Sequence, residues 1–299
     1  VIDERLAWRL VLAVRAETDR SPDGSGRPRL HGRADEADRP AKRVEAEGGG
    51  GAWVEVDGTG AWTASSEVTE SARGVLDLFL PLATRSAFVV GQLGQSLDGR
   101  IATETGASHY VTGPEDIQRL HRLRALVDAV VVGAGTVSAD DPRLTVREVE
   151  GDNPVRVVID PEARLDPQRR VFLDGEARTI LVRRAAPDAT RARSSGDEIA
   201  VPSPGQGRLD LSELLAALRD QGLTRVLVEG GGITVSRFLA AGLLDRLHVT
   251  VAPMIIGSGR PSVTLDPIRS LTDALRPPVR HFRLGDDVLF ELDLGPRRR

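Results

Sequence analysis

The sequence predicts an α/β protein, and three observations carry that prediction. From Phe88 onward, short β-branched runs alternate with amphipathic helical segments, the pattern of strands and helices packed in layers. Two glycine-rich stretches follow apolar runs directly: GAGTVSADDPRLTVR at 133–147 after DAVVV, and VEGGGIT at 228–234. All three tryptophans, Trp8, Trp53 and Trp62, fall within the first 62 residues. That shift in composition divides the chain into a small N-terminal extension, residues 1–85, and a main domain, residues 86–299.

In the extension, residues 3–17 place Leu6, Leu10 and Ala13 on one helical face. Residues 18–51 are rich in Arg, Asp, Gly and Pro and hold too little apolar surface to offset the entropy of ordering, so a disordered middle is expected. AWVEVDGTGAW at 52–62 alternates apolar and polar residues around Asp57 and Gly58, which reads as a small hairpin. VLDLFLPL at 75–82 reads as a docking segment. Seven strands are expected in the main domain: FVVGQL, DAVVVG, VRVVID, TILV, RVLVE, LHVTVA and VLFEL. Between the first two, Thr112 and Glu115 have capping-box spacing, and Ile117, Leu120, Leu123 and Val127 form a stripe expected to be buried, with Arg124 off it. Residues 211–221 repeat the helical pattern with Leu211, Leu214, Leu215 and Leu218 and end at Gly222; residues 233–241 form the next helix, closed by Gly242. The stretch 185–208 reads as a surface loop.

Composition excludes several chemistries. Cysteine is absent, which removes disulfides, thiolate catalysis and cysteine metal sites and points to a cytoplasmic protein. Lys42 is the sole lysine and lies in a polar, glycine-rich segment, so Schiff-base and P-loop chemistry have no suitable residue and arginine carries the cationic recognition. No two of His31, His109, His121, His248 and His281 stand at the spacing of a helical zinc pair, and no metal is expected. A net charge of −4 argues against a dedicated nucleic-acid binder. Leu6–Val14 is too short and too polar at Arg9 to span a bilayer.

The two glycine-rich stretches carry the chemistry. At 229–232, three glycines between strand and helix serve either a tight bend or the close approach of a phosphate to free backbone N–H groups. Glu229 either accepts from a ligand or caps the following helix. Asp140 and Asp141 precede Pro142, which predicts an extended Asp141 and two carboxylates pointing apart. In LTVR a period of two separates Leu144 and Val146 from Thr145 and Arg147, whose guanidinium fork suits a phosphate ester or else is solvated. Tyr110 either stacks on a planar ring or fills a core boundary. His121, in HRLR, reads as a solvated helix residue, and His248 as a strand residue. Together the two strand ends are expected to supply one pocket for an anionic ligand, as in a cofactor-dependent enzyme.

Taken in order, SLDGRIA, GASHYVTGPE, LHRLRALVDAVVVGAGTVSADDPRLTVR, NPVRVVID, LVEGGGITVSRFLAAGLLDRLHVTVAP and IIGSGRP resemble the reductase domain of the bifunctional riboflavin-biosynthesis deaminase/reductase and the related stand-alone pyrimidine reductases. The resemblance covers about residues 86–294; residues 1–85 lack the deaminase zinc motifs. It implies a dihydrofolate-reductase-like fold, a mixed, mostly parallel sheet flanked by helices, in a homodimer. It further implies NADPH as cofactor and reduction of the ribosyl group of 5-amino-6-(5-phosphoribosylamino)uracil to the ribitylamino product. By family position, Ser108, Arg124, Leu144, Arg147 and Glu229 are implied to contact substrate. Gly94, Tyr110, Thr112, Thr136, Asp140, Gly231, Gly232, Ile233 and Thr234 are implied to line the cofactor site, with Asp140 the candidate catalytic group. Gln92 stands where the family carries a lysine, which leaves room for another pyrimidine, a pteridine or a specialised metabolite as substrate.

Overall fold

A computed structural model describes residues 1–20, 40–108, 111–205 and 208–295. Tyr110, His109 and the middle of the segment expected to lack order lie outside the described residues. The chain forms two compact units, Val1–Phe88 and Val89–Arg299.

In the smaller unit, α1 (Glu4–Asp19) starts at Asp3, whose Oδ1 accepts from the Leu6 amide at 2.8 Å, satisfying one of the donors a helix start leaves open. It packs on α2 (Glu70–Ala83), with Trp8 meeting Phe79 edge to face at 5.5 Å between centroids. The buried face of α1 runs through Ala7, Trp8, Leu10, Val11 and Val14, rotated from the expected Leu6–Leu10–Ala13 line because α2 covers the Trp8 side. VLDLFLPL forms most of α2. The hairpin is present as β2 (Trp53–Val56) and β3 (Trp62–Ala64), with Asp57 Oδ1 accepting from the Thr59 and Ala61 amides at 2.8 and 3.0 Å. A further strand, β1 (Lys42–Glu45), adds to β2 inside the stretch read as too polar to order; pairing satisfies its backbone and buries Val44 opposite Val54.

The larger unit is built on a ten-stranded sheet. Its strands are β4 (Phe88–Ser96), β6 (Ala129–Gly133), β7 (Val155–Ile159), β8 (Thr179–Arg184), β9 (Arg193–Ser195), β10 (Glu198–Val201), β11 (Arg225–Val228), β12 (Arg246–Ala252), β14 (Val279–Leu284) and β15 (Asp287–Asp293). They lie in the order β14-β15-β12-β4-β11-β6-β7-β8-β10-β9. Pairs β12–β4, β11–β6, β6–β7, β7–β8 and β8–β10 are parallel, whereas β14–β15, β15–β12 and β9–β10 are antiparallel, so the sheet is mixed and mostly parallel as expected. A separate ribbon pairs β5 (Arg100–Thr103) with β13 (Gly259–Pro261). All seven expected strands are present. β9 and β10 were read as surface loop; Ile199 and Val201 of β10 are fully buried, a two-residue signal hidden among polar neighbours.

Helices α3 (Pro114–Leu126), α4 (Ala134–Asp140), α5 (Arg170–Leu173), α6 (Leu211–Asp220) and α7 (Gly232–Ala240) complete the unit. Gly222 and Gly242, at φ of +79° and +67°, end α6 and α7 in the left-handed region that lacks a Cβ penalty. The core gathers Val131, Val157, Ile180, Val226, Leu218 and Phe238. Asp128 Oδ2 accepts from the Thr224 and Arg225 amides at 3.0 and 2.8 Å, so β6 and β11 start together and their carboxyl ends lie side by side. Phe238 is fully buried; its replacement by alanine is expected to cost about 3–5 kcal/mol, read as a lower urea midpoint of the larger unit. An unchanged midpoint would show that α7 does not cover the core.

Candidate active site

The adjacent ends of β6 and β11 lead into α4 and α7, and the turns between them interlock. Thr136 Oγ1 accepts from the Gly231 amide at 2.8 Å. A Cβ on Gly133 would meet Thr234 Oγ1 at 2.5 Å, so the two helix starts are in contact. Gly230, at φ +93°, needs its left-handed freedom. A Cβ on Gly232 would lie 2.1 Å from the Ser262 carbonyl oxygen, so the backbone of 261–262, rather than a ligand, demands that glycine. The tight bend therefore accounts for Gly230, and packing against 261–262 for Gly232. At the first turn of α7 the cap residue Gly231 supplies no side-chain acceptor, and the Thr234 amide donates to the Gly231 carbonyl at 3.0 Å. Ile233 projects outward, 68% exposed.

The second stretch differs from its expected form. Residues 134–140 are helix α4 rather than loop. Asp141 caps it in the left-handed region at φ 41°, not extended: its amide donates to the Val137 carbonyl at 3.1 Å and its Oδ1 accepts from the Arg170 amide at 2.9 Å, which outweighs the bias from Pro142. The two carboxylates do diverge, since Asp140 Oδ1 accepts from Ser108 Oγ at 3.1 Å. Leu144 is also left-handed, at φ 60°, a conformation that costs a branched residue about 1–2 kcal/mol. The turn it makes breaks the alternation read in LTVR, and Leu144 and Thr145 are buried together while Arg147 is exposed. Three contacts hold this shape. The Val146 amide donates to Asn153 Oδ1 at 2.7 Å, the Arg147 amide donates to His121 Nδ1 at 2.9 Å, and Arg156 Nη1 donates to the Arg143 carbonyl at 3.2 Å.

Arg124 joins the two stretches. Its Nε and Nη2 donate to the two oxygens of Glu229 at 3.1 and 2.9 Å, and its Nη1 to the Thr145 carbonyl at 3.2 Å, all buried. Arg147 Nη1 donates to Thr145 Oγ1 at 2.7 Å. A continuous path thus runs Arg147–Thr145–Arg124–Glu229 and on along the backbone to Gly231. Among the described residues Arg147 has no carboxylate partner, whereas Arg143 lies 3.5 Å from Glu176 and Arg124 is paired. Partial burial of the guanidinium, together with the Arg124 and Arg143 cations, lowers the Arg147 pKa, although the residue as a whole is exposed.

Helix α3 presents an unexpected face. Asp116, Arg119, His121 and Arg124 are buried beside Leu123, while Ile117 is exposed. Gly113, not Thr112, is the cap residue, because Pro114 occupies the first helical position; the Gly113 amide donates to Asp287 Oδ2 at 2.7 Å instead of forming a capping box. Thr112 packs on Gly94, where a Cβ would meet Thr112 Cγ2 at 2.9 Å. Gln92 is buried with Oε1 accepting from Arg119 Nη2 at 2.7 Å; Arg119 also pairs with Asp116 at 2.7 Å and meets His248 Nδ1 at 3.2 Å. His248 lies in β12 as read. Asp98, in SLDG, ties down residues 256–257, accepting from the Ile256 and Gly257 amides at 3.1 and 2.7 Å. The Ser96 hydroxyl and these two amides hold its pKa down at about 2.

Sequence reasoning missed His121, Asn153 and Asp98. Asp98 carried the signal of a polar residue before a turn glycine; the other two act on backbone amides far along the chain, which no spacing reveals.

This assembly matches known proteins. The RibD C-terminal domain profile covers residues 87–290. The chain belongs to the RibD C-terminal domain family. Over 211 residues, 68% of this chain and 96% of its relative, it is 42% identical to the 2,5-diamino-6-ribosylamino-4(3H)-pyrimidinone 5′-phosphate reductase of Methanothermobacter thermautotrophicus. It is 34% identical to the riboflavin biosynthesis protein RibD of Escherichia coli over 71% of this chain and 61% of that protein. Acinetobacter baumannii RibD superposes with a TM-score of 0.57 at 26% identity, covering 76% of this chain and 64% of that one. A RibD-type reductase is an oxidoreductase of riboflavin biosynthesis, and a reductase on this fold points to a nicotinamide cofactor as its hydride source.

Two predictions follow from the geometry of this RibD-type domain. Gly232→Ala is expected to destabilise by about 1–3 kcal/mol by driving a methyl group into the 261–262 backbone; a melting temperature equal to wild type would refute the close approach. Burial, with the Arg124 and Arg147 cations, pushes His121 from 6.5 down to about 4. The unfolded chain therefore binds this proton first as pH falls. The contribution of neutral His121 is complete above pH 6.5 and lost toward pH 4, so the melting-temperature advantage of wild type over His121→Asn should shrink across that window. A constant difference would show that His121 titrates alike in both states.

Proposed function

We propose that residues 86–299 form an NADPH-dependent reductase of a ribosylaminopyrimidine 5′-phosphate, with residues 1–85 as an extension, and that the product is the ribitylamino compound. The observation that carries this reading is Arg147, an exposed cation that forms no ion pair among the described residues, with Glu176 and Glu148 only near it, placed beside Arg124 and Arg143 and joined through Glu229 to the glycine turn. A sugar phosphate supplies the counter-charge for Arg147, whose neighbours Arg124 and Arg143 already have carboxylate partners.

In this reading Arg147 grips the phosphate, with Arg124, Leu144, Glu229 and Ser108 around the substrate. Gly94, Tyr110, Thr112, Thr136 and residues 231–234 border the cofactor. The start of α7 fits a cofactor phosphate, since its cap residue Gly231 supplies no side-chain acceptor to the first turn. When bound, the nicotinamide supplies a hydride to C1′ of the ribosyl group. The protein's part is to hold the two carbons close and to keep water out. Ring opening moves a proton from the glycosylamine nitrogen to the departing ring oxygen, and Asp140, whose Oδ1 accepts from the Ser108 hydroxyl at 3.1 Å, is the group we assign to that relay.

The base of the substrate is open to two readings. The resemblance to the bifunctional enzyme favours the uracil, whereas the name of the 42% identical archaeal relative favours the 2,5-diaminopyrimidinone. Among the described residues no helix is long and apolar enough to cross a membrane, and with the absence of cysteine this supports a cytoplasmic enzyme. A homodimer, which the resemblance implies, belongs to this reading.

Purified protein is expected to oxidise NADPH only when a ribosylaminopyrimidine 5′-phosphate is added, with the two bases tested in parallel. Arg147→Ala should raise KM for that substrate by roughly 10- to 100-fold, the worth of a hydrogen bond to a charged group, and leave KM for NADPH within about twofold of wild type. Equal losses for both would remove Arg147 from the phosphate.

A further inference from the structure

His121 is buried on α3, and its Nδ1 accepts the Arg147 amide hydrogen at 2.9 Å. An accepting Nδ1 requires the neutral ring with its proton on Nε2. The preceding amide, Val146, is taken by Asn153 Oδ1 at 2.7 Å, so two consecutive N–H groups of the turn are held by side chains from separate elements. The turn needs such holding: Leu144 sits at φ 60°, and no strand ladder runs through 141–148 to fix it.

We infer that His121 is a positioning residue for phosphate recognition: as a neutral acceptor it fixes the Arg147 backbone, and so sets where the Arg147 guanidinium stands relative to Arg124. This rests on the proposed role of Arg147. His121 touches neither substrate nor cofactor in this account; it acts through the 144–147 turn. A protonated ring would present a donor to a donor and add a cation beside Arg124 and Arg147, so the arrangement admits only the neutral form. Leucine at 121 keeps the volume and removes the acceptor, whereas asparagine keeps an acceptor oxygen at similar reach.

Two measurements test this. In hydrogen exchange on the full chain, His121→Leu should speed exchange of the Arg147 amide at least tenfold while His121→Asn stays within about threefold of wild type. In kinetics with the ribosylaminopyrimidine phosphate, His121→Leu should raise substrate KM at least fivefold with KM for NADPH and kcat within about twofold, and His121→Asn should restore most of the loss. Unchanged exchange in His121→Leu overturns the inference whatever the activity. So does a fall in kcat with substrate KM intact, or a His121→Asn variant as impaired as His121→Leu. If Arg147→Ala leaves substrate KM unaltered, the phosphate reading itself fails; if Arg147→Ala raises it and His121→Leu does not, only the role of His121 fails.

Discussion

The buried ion pair between Arg124 and Glu229 is the contact on which the arrangement of the larger unit's polar end depends. Taking both charges out of water is costly, and such pairs are weak evidence for stability. Their geometric effect is another matter. Arg124 uses three nitrogens on two targets, the Glu229 carboxylate in a strand-to-helix connection and the Thr145 carbonyl in a helix-to-strand connection. One guanidinium from α3 therefore sets the spacing between the glycine turn after β11 and the 144–147 turn after α4. Removing either partner would leave a buried charge unpaired and uncouple the two turns.

Strain gathers where that pair acts. Asp141 and Leu144 both stand in the left-handed region within four positions, and neither is glycine. Such conformations persist only when surrounding contacts over-determine them. Here the Arg170 amide holds the Asp141 carboxylate, Asn153 and His121 hold the Val146 and Arg147 amides, and Arg156 holds the Arg143 carbonyl. Sheet residues carry no comparable burden, since ladder bonds and apolar burial already satisfy them. This contrast separates the scaffold, which many apolar sequences would satisfy, from the turn, which depends on a few polar atoms at fixed places.

The scaffold was legible for the same reason. β-branched runs such as DAVVVG and VRVVID announce buried parallel strands whatever lies around them, and Gly222 and Gly242 mark helix ends by a local rule. Where the sequence misled, a tertiary contact had overridden a local pattern. Ile117 and Leu120 promised an apolar face for α3, but Asp116 and Arg119 face inward, because Thr250, Gln92 and His248 offer them partners there. Thr112 and Glu115 had the right spacing for a capping box, yet Pro114 moved the cap to Gly113. At the polar end, the residue types were legible, Arg124, Arg147 and Glu229 among them, while their pairing was not. Nothing in a string shows that position 124 meets position 229, and His121 in HRLR looks like any surface residue until the Arg147 amide is placed against it.

The same logic bears on Gln92. A lysine there would bring a cation to β4; glutamine brings none, and its carbonyl oxygen is spent on Arg119. Arg119 does not replace the missing charge, because Asp116 neutralises it 2.7 Å away inside the unit. Arg124 is likewise neutralised by Glu229, and Arg143 faces Glu176. Positive charge at this end of the sheet is thereby concentrated on Arg147. In the proposed reading a ligand phosphate meets that one guanidinium on a strained turn, with paired arginines behind it. Selectivity in such a site comes from where that turn is held, and less from how many cations surround it.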